Sequence, residues 1–217
     1  GIKVCKFGGT SMADGNIIQS AAKIVAADPA RRYVVVSAPG KRFGGDIKVT
    51  DLLYKCSELA ETGGAFEAEF SKIRTRFLNI EKEIGLDLGV EGMLDEIEER
   101  VLRGEGRDYC ASRGEYLAAR IMAAVLDVPF VDAADIVRFK ADGSLDEETY
   151  ALAASVLKKY ARAVVPGFYG RGADGKIKTF SRGGSDISGA VLARAVKASL
   201  YENWTDVDGM LTADPRI

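Results

Sequence analysis

The sequence predicts an α/β fold in which helices cover both faces of a mainly parallel sheet. Three observations predict it: short apolar, β-branched runs recur along the 217-residue chain, long segments with helical periodicity separate them, and the hydrophobic content of 47% is enough for a substantial core. Strands that alternate with helices favour parallel pairing, because a parallel connection needs a crossover long enough to hold a helix.

Five short runs have the composition of buried strands, being rich in β-branched or aromatic residues. The predicted strands cover residues 2–7, 33–37, 128–132, 163–165 and 199–204. Parallel sheets of this kind bind ligands at the carboxyl ends of their strands. The loops that follow these strands are therefore where a site is expected.

Helices are predicted where apolar residues recur at helical spacing between the strands. The residues that define them are Ile17, Ala21, Ile24 and Val25, then Leu117, Ile121 and Val125, and finally Leu152, Val156 and Tyr160. The stretch from about 64 to 107 is charge-rich and has no strand pattern, which predicts a helical insertion or lid on the sheet domain. A solvated helical face without an active role fits the same charges.

The composition argues against several partner classes. The net charge is −2, the pI is about 5.5, and charges of both signs are interspersed, so neither nucleic acid nor a membrane surface is an expected partner. No apolar run approaches the length of a membrane span, and the N-terminus lacks a secretory pattern, which predicts a cytoplasmic protein. Small-molecule chemistry is the remaining expectation.

The residue types available limit that chemistry. The chain has no histidine, which excludes Ser-His-Asp hydrolysis, Cys-His nucleophiles and histidine-ligated metals. Its three cysteines, Cys5, Cys56 and Cys110, are widely spaced and indicate neither a disulfide framework nor a zinc site. No protein metal site is predicted, and the chemistry must use acids, lysine, arginine, hydroxyls, backbone amides or a hard cation.

A glycine-rich turn joins the first predicted strand to the first helix, with the residues Lys6, Phe7, Gly8, Gly9, Thr10 and Ser11. Paired glycines allow the backbone to approach an anion, and the N-terminus of the following helix directs its amides at the same point. Lysine adds a point charge, and the hydroxyls can cap the helix or donate to a phosphate oxygen. A plain turn with a solvated lysine is the alternative.

Two further clusters follow later predicted elements. Ser181-Arg182-Gly183-Gly184-Ser185-Asp186 precedes a helix, and simple capping would explain Ser185 and Asp186 but not an arginine beside two glycines, which suits a carboxylate or phosphate. Residues 204–216 combine acids, threonines and an arginine after the last predicted strand. By itself this last cluster is equally typical of ordinary turns.

Four motifs occur together and in a fixed order: K-F-G-G-T-S at 6–11, R-G-E at 113–115, S-R-G-G-S-D at 181–186, and T-D-V-D-G with T-A-D-P-R at 205–216. In this set the sequence resembles the aspartokinase family of the amino-acid kinase superfamily, over nearly the whole chain. Other members of that superfamily phosphorylate other carboxylates, carbamate or UMP. The R-G-E and S-R-G-G-S-D pair favours aspartate.

The resemblance implies a three-layer α/β/α sandwich and a specific reaction. It implies that Mg-ATP donates its γ-phosphoryl group to the side-chain carboxylate of L-aspartate, giving 4-phospho-L-aspartate, the first step of lysine, threonine and methionine biosynthesis. A carboxylate is already ionised at neutral pH, so the nucleophile needs no general base and the lack of histidine is no handicap. A homodimer or higher homo-oligomer is implied for the full-length protein.

The resemblance also implies roles for individual residues. Lys6 and Asp186 are the expected catalytic residues, with Asp186 orienting Lys6. The residues expected to hold aspartate are Ser37, Thr50, Glu115, Arg182 and Ser185, with Glu115 meeting the ammonium and Arg182 a carboxylate. The residues expected to hold the nucleotide are Lys6, Phe7, Gly8, Gly9, Thr10, Ser11, Thr205, Asp206, Leu211 and Arg216. An exposed acid without a ligand is the alternative for Glu115.

Three features depart from or add to the family pattern. Leu211 stands where many relatives have an aromatic residue that could stack on adenine. The basic, glycine-rich loop 40–46 is either a flap over the substrates or an ordinary surface loop. The chain stops after Asp214-Pro215-Arg216 without a closing element, which predicts a shortened catalytic domain without regulatory ACT domains. An inactive or degenerate nucleotide-binding fragment is therefore the alternative function.

Overall fold

The computed structural model describes residues 1–181, 183–207 and 209–216, with residues 215 and 216 described by their backbone alone. Seven strands lie within these residues: β1 (Lys3–Phe7), β2 (Arg31–Val36), β3 (Ala163–Pro166), β4 (Tyr169–Arg171), β5 (Ile177–Thr179), β6 (Leu200–Val207) and β7 (Met210–Arg216). The same residues form seven α-helices: α1 (Gly15–Ala26), α2 (Val49–Glu61), α3 (Glu67–Ile84), α4 (Val90–Leu102), α5 (Arg107–Leu126), α6 (Glu148–Leu157) and α7 (Gly184–Ala195).

The central sheet has five strands in the order β3-β2-β1-β6-β7. The first four run parallel, and β7 returns antiparallel to β6. β4 and β5 form a separate antiparallel hairpin. The parallel strands bring the residues that follow β1, β2, β3 and β6 to one edge of the sheet, as their polar carboxyl-terminal loops predict.

Alternate residues of the strands face opposite helical layers, as the two-residue period of a strand requires. Cys5, Phe7 and Val34 belong to an apolar cluster shared with α1 to α5. Val4 and Tyr33 belong to a second cluster shared with α6 and α7. The predicted α/β fold with a mainly parallel sheet between two helical layers is therefore confirmed.

Four of the five predicted strands are confirmed within a few residues as β1, β2, β3 and β6, but the strand predicted at 128–132 is wrong. This segment runs beside β3 and makes one isolated bridge, from Phe130 to Val164. Val131 donates to the Val164 carbonyl at 2.9 Å and Pro129 accepts from Val164 at 3.0 Å. Proline has no amide hydrogen to donate, which limits the ladder here to an edge contact.

The charge-rich stretch from about 64 to 107 contains α3 and α4. Phe70, Phe77 and Leu94 from these helices are buried in the same cluster as α1, α2 and α5. The two helices therefore form part of the packed helical layer, while their charged residues other than Arg76 are at least partly exposed. The assignment of one catalytic domain with an inserted lid stays a prediction.

Across the described ranges, no helix combines the length and apolar character needed to span a bilayer.

Candidate functional site

A cavity of about 560 Å³ opens at the carboxyl edge of the parallel strands. Its lining comes from the loops after β1, β2 and β3, from β6, from the first turns of α2 and α7, and from the middle of α5. The lining residues are Lys6, Gly8, Gly9, Thr10, Ser37, Ala38, Pro39, Gly40, Lys41, Lys48, Thr50, Asp51, Glu115, Phe168, Gly184, Ser185 and Thr205. Three clusters far apart in the sequence therefore meet at one site.

The turn after β1 presents Lys6, Gly8, Gly9 and Thr10 to this cavity. The Gly8 amide donates to the carbonyl of Trp204 in β6 at 3.2 Å, which fixes the turn on the neighbouring strand. A Cβ atom on Gly8 would lie 3.4 Å from the Lys6 Nζ atom, so the ammonium group lies against this glycine. Phe7 and Ser11 from the predicted nucleotide set are instead fully buried beneath the turn.

Gly9 and Gly40 bring the turn after β1 against the loop after β2. The Gly40 amide donates to the Gly9 carbonyl at 2.8 Å, and a Cβ atom on Gly40 would lie 2.7 Å from the Gly9 carbonyl carbon. That separation is shorter than any ordinary van der Waals contact. The two turns can approach this closely only because neither residue has a side chain.

We expect Gly40→Ala to force these two turns apart and to lower the free energy of unfolding by about 1–3 kcal/mol, the usual cost of overpacking. Gly44→Ala is the matched control, because a Cβ atom on Gly44 in the same loop would meet no atom within 4 Å. Chemical denaturation of both variants measures the difference. Equal stability of the two variants would show that the close approach of the turns is unimportant.

Ser37 and Thr50, both predicted to hold aspartate, line the cavity from neighbouring segments. Ser37 follows β2 directly, and its amide donates to the Phe7 carbonyl at 3.0 Å. Thr50 lies in the first turn of α2, where the helix dipole favours an anion. Both hydroxyls are thus in reach of a ligand bound between β1 and α2.

Glu115 is the most unusual group of the site. It lies in the middle of α5 and is 5% exposed, so the alternative of an exposed acid is wrong. Its Oε1 atom has no hydrogen-bond partner. Burial raises the pKa of Glu115 to about 8, an effect that hydrogen bonds from the backbone of Glu115 and Ala38 and the charge of Arg113 only partly offset. A buried carboxylate of this kind calls for a cation.

The glycine-rich segment before α7 brings Gly184 and Ser185 to the cavity. Ser185 is buried and approaches Gly167 after β3 so closely that a Cβ on Gly167 would lie 2.6 Å from the Ser185 Oγ atom. The first turn of α7 therefore faces the same space as that of α2. Arg182, which is predicted to bind a carboxylate, lies outside the described residues.

Asp186 lies next to this turn and is held from β6. Its Oδ1 atom is 3.0 Å from the Tyr201 hydroxyl and accepts from Asn203 Nδ2 at 3.4 Å. Asn203 is the β6 residue aligned with Lys6 in the sheet. Asp186 is thus connected through Asn203 to the strand position beside Lys6, while its role in orienting Lys6 stays a prediction.

The predicted nucleotide residues of β6 and β7 separate into different surroundings. Thr205 lines the main cavity, and Asp206 lines a neighbouring groove of about 300 Å³ that shares Thr10 and Lys41 with it. Leu211, aligned with Asp206 in the β6-β7 hairpin, is half-buried and packs against the cluster on the α1–α5 side. The side chain of Arg216 lies outside the described residues.

The charged residues of the cavity favour an anionic ligand. Among the described lining residues, Lys6, Lys41 and Lys48 are basic and Asp51 and Glu115 are acidic. With Glu115 protonated, the cations exceed the anions by two. Neither Lys48 nor Asp51 belongs to one of the four motifs. Both lie at the start of the helix that follows the glycine-rich loop 40–46, and that position is the sequence signal that could have identified them.

Phe168 is another lining residue that sequence reasoning missed. It has a positive φ of 84°, which is strained for a residue other than glycine, and its amide donates to Ser188 Oγ at 2.8 Å in α7. Strained backbone of this kind concentrates at functional sites. Its position two residues after the end of β3 was a possible signal of a site residue in the sequence. The positive φ was not predictable, because it accompanies a contact with Ser188 of α7.

No cluster of three or more acidic or cysteine side chains suited to a metal ion occurs in the part of the chain that the structure describes. All three cysteines are buried, and burial raises the pKa of each thiol.

The whole chain, residues 1–217, matches the model of the amino acid kinase family. Aspartokinase 3 of Bacillus subtilis is 36% identical over 231 aligned residues, which cover 99% of this chain and 50% of that protein. The crystal structure of aspartate kinase from Clostridium acetobutylicum has a TM-score of 0.91 at 42% identity and covers 95% of this chain and 48% of its own.

Aspartokinase III of Escherichia coli, in complex with aspartate and ADP, has a TM-score of 0.79 at 30% identity, with 95% of this chain and 49% of that one covered. The chain thus spans about half the length of the relatives it matches.

Proposed function

This chain belongs to the amino acid kinase family, and from that premise we propose that it transfers the γ-phosphoryl group of ATP to the side-chain carboxylate of L-aspartate. The product would be 4-phospho-L-aspartate, which belongs to amino-acid biosynthesis. Similarity to aspartokinases over 99% of the chain supports the proposal. So does the likeness to a structure that holds aspartate and ADP.

The observation that carries the proposal is the buried Glu115 carboxylate in a cavity whose other charged lining residues are three lysines and Asp51. An ammonium group of the substrate would satisfy the Oε1 atom of Glu115, and the carboxylates of the same substrate would face the basic wall. Aspartate has one ammonium and two carboxylates. A substrate without an ammonium would leave Glu115 buried and unpaired, which is costly.

The reaction must bring two anions together, because both the attacking carboxylate and the phosphate are negative. Lys6, the amide of Gly9 and the N-termini of α2 and α7 supply positive charge that is fixed before the reaction begins. Mg²⁺ is proposed to enter with ATP as the Mg-ATP substrate, in keeping with phosphoryl transfer generally. The protein then contributes alignment and electrostatic stabilisation.

The remaining residues are proposed to bind rather than to react. We assign the aspartate contacts to Ser37, Thr50, Glu115, Arg182 and Ser185. We assign the nucleotide contacts to the turn after β1 and to Thr205, Asp206, Leu211 and Arg216. Asp186 is proposed to orient Lys6. A homo-oligomer of the full-length protein and a cytoplasmic location also stay predictions.

Trapping of the acyl phosphate with hydroxylamine tests this function. The protein is incubated with Mg-ATP, hydroxylamine and L-aspartate, L-glutamate, succinate or no acceptor. We expect an aspartyl hydroxamate to form with L-aspartate alone, because succinate has no ammonium to pair with Glu115 and the side chain of L-glutamate is longer by one methylene. The alternative of a nucleotide-binding fragment without turnover is not favoured by the similarity to aspartokinases. ATP binding without hydroxamate from any acceptor would support that alternative.

A further inference from the structure

Arg76 is a buried arginine of α3 that does not line the main cavity. Its side chain is 5% exposed. The guanidinium donates to three backbone carbonyls: Nη2 donates to Gly40 at 2.8 Å and to Ala13 at 3.0 Å, and Nη1 donates to Ile47 at 3.1 Å. A single side chain therefore connects three segments from outside the site.

Each of these carbonyls lies in a segment that shapes the candidate site. Ala13 ends the short helical turn 9–12 that follows the glycine pair after β1. Gly40 lies in the main cavity wall and hydrogen-bonds to Gly9. Ile47 lies two residues before α2, the helix that carries Thr50. Arg76 thus holds the phosphate-binding turn, the loop after β2 and the start of α2 at fixed separations.

The loop 40–46 is tied to the same guanidinium through a second arginine. Arg42 donates to both oxygens of Asp46, at 2.7 Å and 2.9 Å. The Asp46 Oδ2 atom is also 3.5 Å from Arg76 Nη1. The Arg42 guanidinium holds the pKa of the Asp46 carboxyl well below its usual range. The loop is therefore closed on itself and anchored to α3, although residues 41–45 are exposed.

A guanidinium suits this task because its planar group of five donors keeps a fixed geometry. Buried carbonyls need donors, so part of this arrangement serves the stability of the fold. Of the three acceptors only Gly40 lines the main cavity, but Ala13 and Ile47 each lie next to segments that line it, through Gly9 and Thr10 and through Lys48 and Thr50. A small displacement of such a wall is expected to affect the alignment of the reacting groups strongly.

We propose that Arg76 is a positioning residue that sets the spacing between the turn after β1 and the loop 40–47, and so aligns Mg-ATP with its acceptor. The proposal rests on the proposed function for its effect on turnover. Its effect on the loops is independent of the substrate. Arg76 touches no substrate itself and acts through Gly40, Gly9 and the start of α2.

The test compares Arg76→Gln with Arg74→Gln, a matched control on the same helix. Arg74 faces α4, with its Nη2 atom 2.9 Å from Asp95 and 3.6 Å from Glu98, and it contacts none of the three segments through these groups. Hydrogen exchange followed by mass spectrometry on the peptide 38–50 reports the amides of Gly40 and Val49, which donate to Gly9 and Pro39.

We expect Arg76→Gln to speed exchange in this peptide by about tenfold or more, since the loop is then free to open locally. Arg74→Gln should leave it unchanged. In the hydroxamate assay, Arg76→Gln should lower kcat by about 10- to 100-fold through misalignment, with a smaller effect on KM for aspartate, because Glu115 and Ser185 lie on other elements and only Thr50 lies on the helix whose start Arg76 holds. Arg76→Lys should recover part of both effects.

Unchanged exchange at 38–50 in Arg76→Gln, or equal exchange in the two glutamine variants, would overturn the proposal. Loss of the whole fold in both Arg76→Gln and Arg76→Lys would also overturn the proposal, because Arg76 would then be required for the stability of the whole fold rather than for the spacing of these loops. Lack of turnover in the unsubstituted protein would instead count against the proposed function, and the exchange result would still decide the role of Arg76 in the loops.

Discussion

Replacing Lys6 by methionine is expected to lower kcat for aspartate phosphorylation by about 10²–10³-fold, the usual loss when one preorganised donor to a transition state is removed. The Lys6 ammonium lies against Gly8 in the turn where the transferring phosphate would sit. Charge on the transferred group changes during the reaction, so this contact strengthens in the transition state. Methionine keeps the length and bulk of the side chain without the charge.

Lys3→Met is the matched control, because Lys3 is in the same strand but pairs with Asp28, at 2.8 Å, away from the cavity. An exposed pair of this kind contributes little to stability, and we expect its loss to leave kcat unchanged. Steady-state kinetics at varied aspartate and Mg-ATP measures both variants. If Lys6→Met altered KM for ATP while kcat stayed the same, the lysine would be a ground-state contact and the account of its role would be wrong.

The second large effect is expected from Glu115→Gln. Glutamine preserves the size of the side chain but removes the charge that would pair with the substrate ammonium. We expect KM for aspartate to rise about 100-fold, which corresponds to roughly 3 kcal/mol and lies within the range for breaking a buried charge pair. ATP binding should be preserved, because Glu115 is assigned to the aspartate subsite.

Glu105→Gln serves as the control for this substitution. Glu105 lies just before α5, is well exposed and contacts Arg100 at 3.3 Å outside the cavity. Its loss should leave KM for aspartate unchanged. The aspartate assignment would fail if Glu115→Gln bound aspartate as tightly as the unsubstituted protein.

The raised pKa of Glu115 predicts a specific pH dependence. The folded protein keeps a proton on this carboxyl up to about pH 8, whereas the unfolded chain loses it near the ordinary value of 4.5. The folded state therefore binds more protons between these values, and the free energy of unfolding should fall as pH rises through this window. Glu115→Gln should remove this fall, and chemical denaturation from pH 5 to 9 measures it.

The same linkage applies to ligand binding. An ammonium can pair only with the ionised carboxyl, so aspartate should displace about one proton at pH 7 and roughly a tenth of that at pH 9. Isothermal titration calorimetry in buffers of different ionisation enthalpy counts these protons. Binding of aspartate at pH 7 with no proton release would contradict a charge pair at Glu115.

The sequence predicted the parts of the fold that depend on local pattern. The apolar β-branched runs became β1, β2, β3 and β6, and the glycine-rich turns were predicted at the strand ends where the cavity opens. The parallel strands bring Lys6 and Ser37 to one edge of the sheet, where Glu115 of α5 and Ser185 of α7 line the same cavity. Lys6, Glu115 and Ser185 could be named because their motifs are short and continuous, whereas Ser37 was named through the family resemblance.

Other features depend on packing between distant segments and had no local pattern. Pro129 lies in a run of residues that otherwise resembles a strand. Its effect on strand pairing is apparent only once this run is placed beside β3 in the folded chain. The strain at Phe168 arises from the approach of α7 to the end of β3. Arg76 looks like one more charge on a charged helix, and only the folded chain shows that its guanidinium reaches three carbonyls in or beside the cavity wall.

The most direct test of the account is a crystal structure of the protein with L-aspartate, Mg²⁺ and a non-hydrolysable ATP analogue. We predict the substrate ammonium within hydrogen-bond distance of Glu115, and the terminal phosphate against Lys6 and the amide of Gly9. The acceptor carboxylate should lie between them. Aspartate bound with its ammonium away from Glu115, or the phosphates bound outside this cavity, would contradict the central claim that one cavity aligns both substrates.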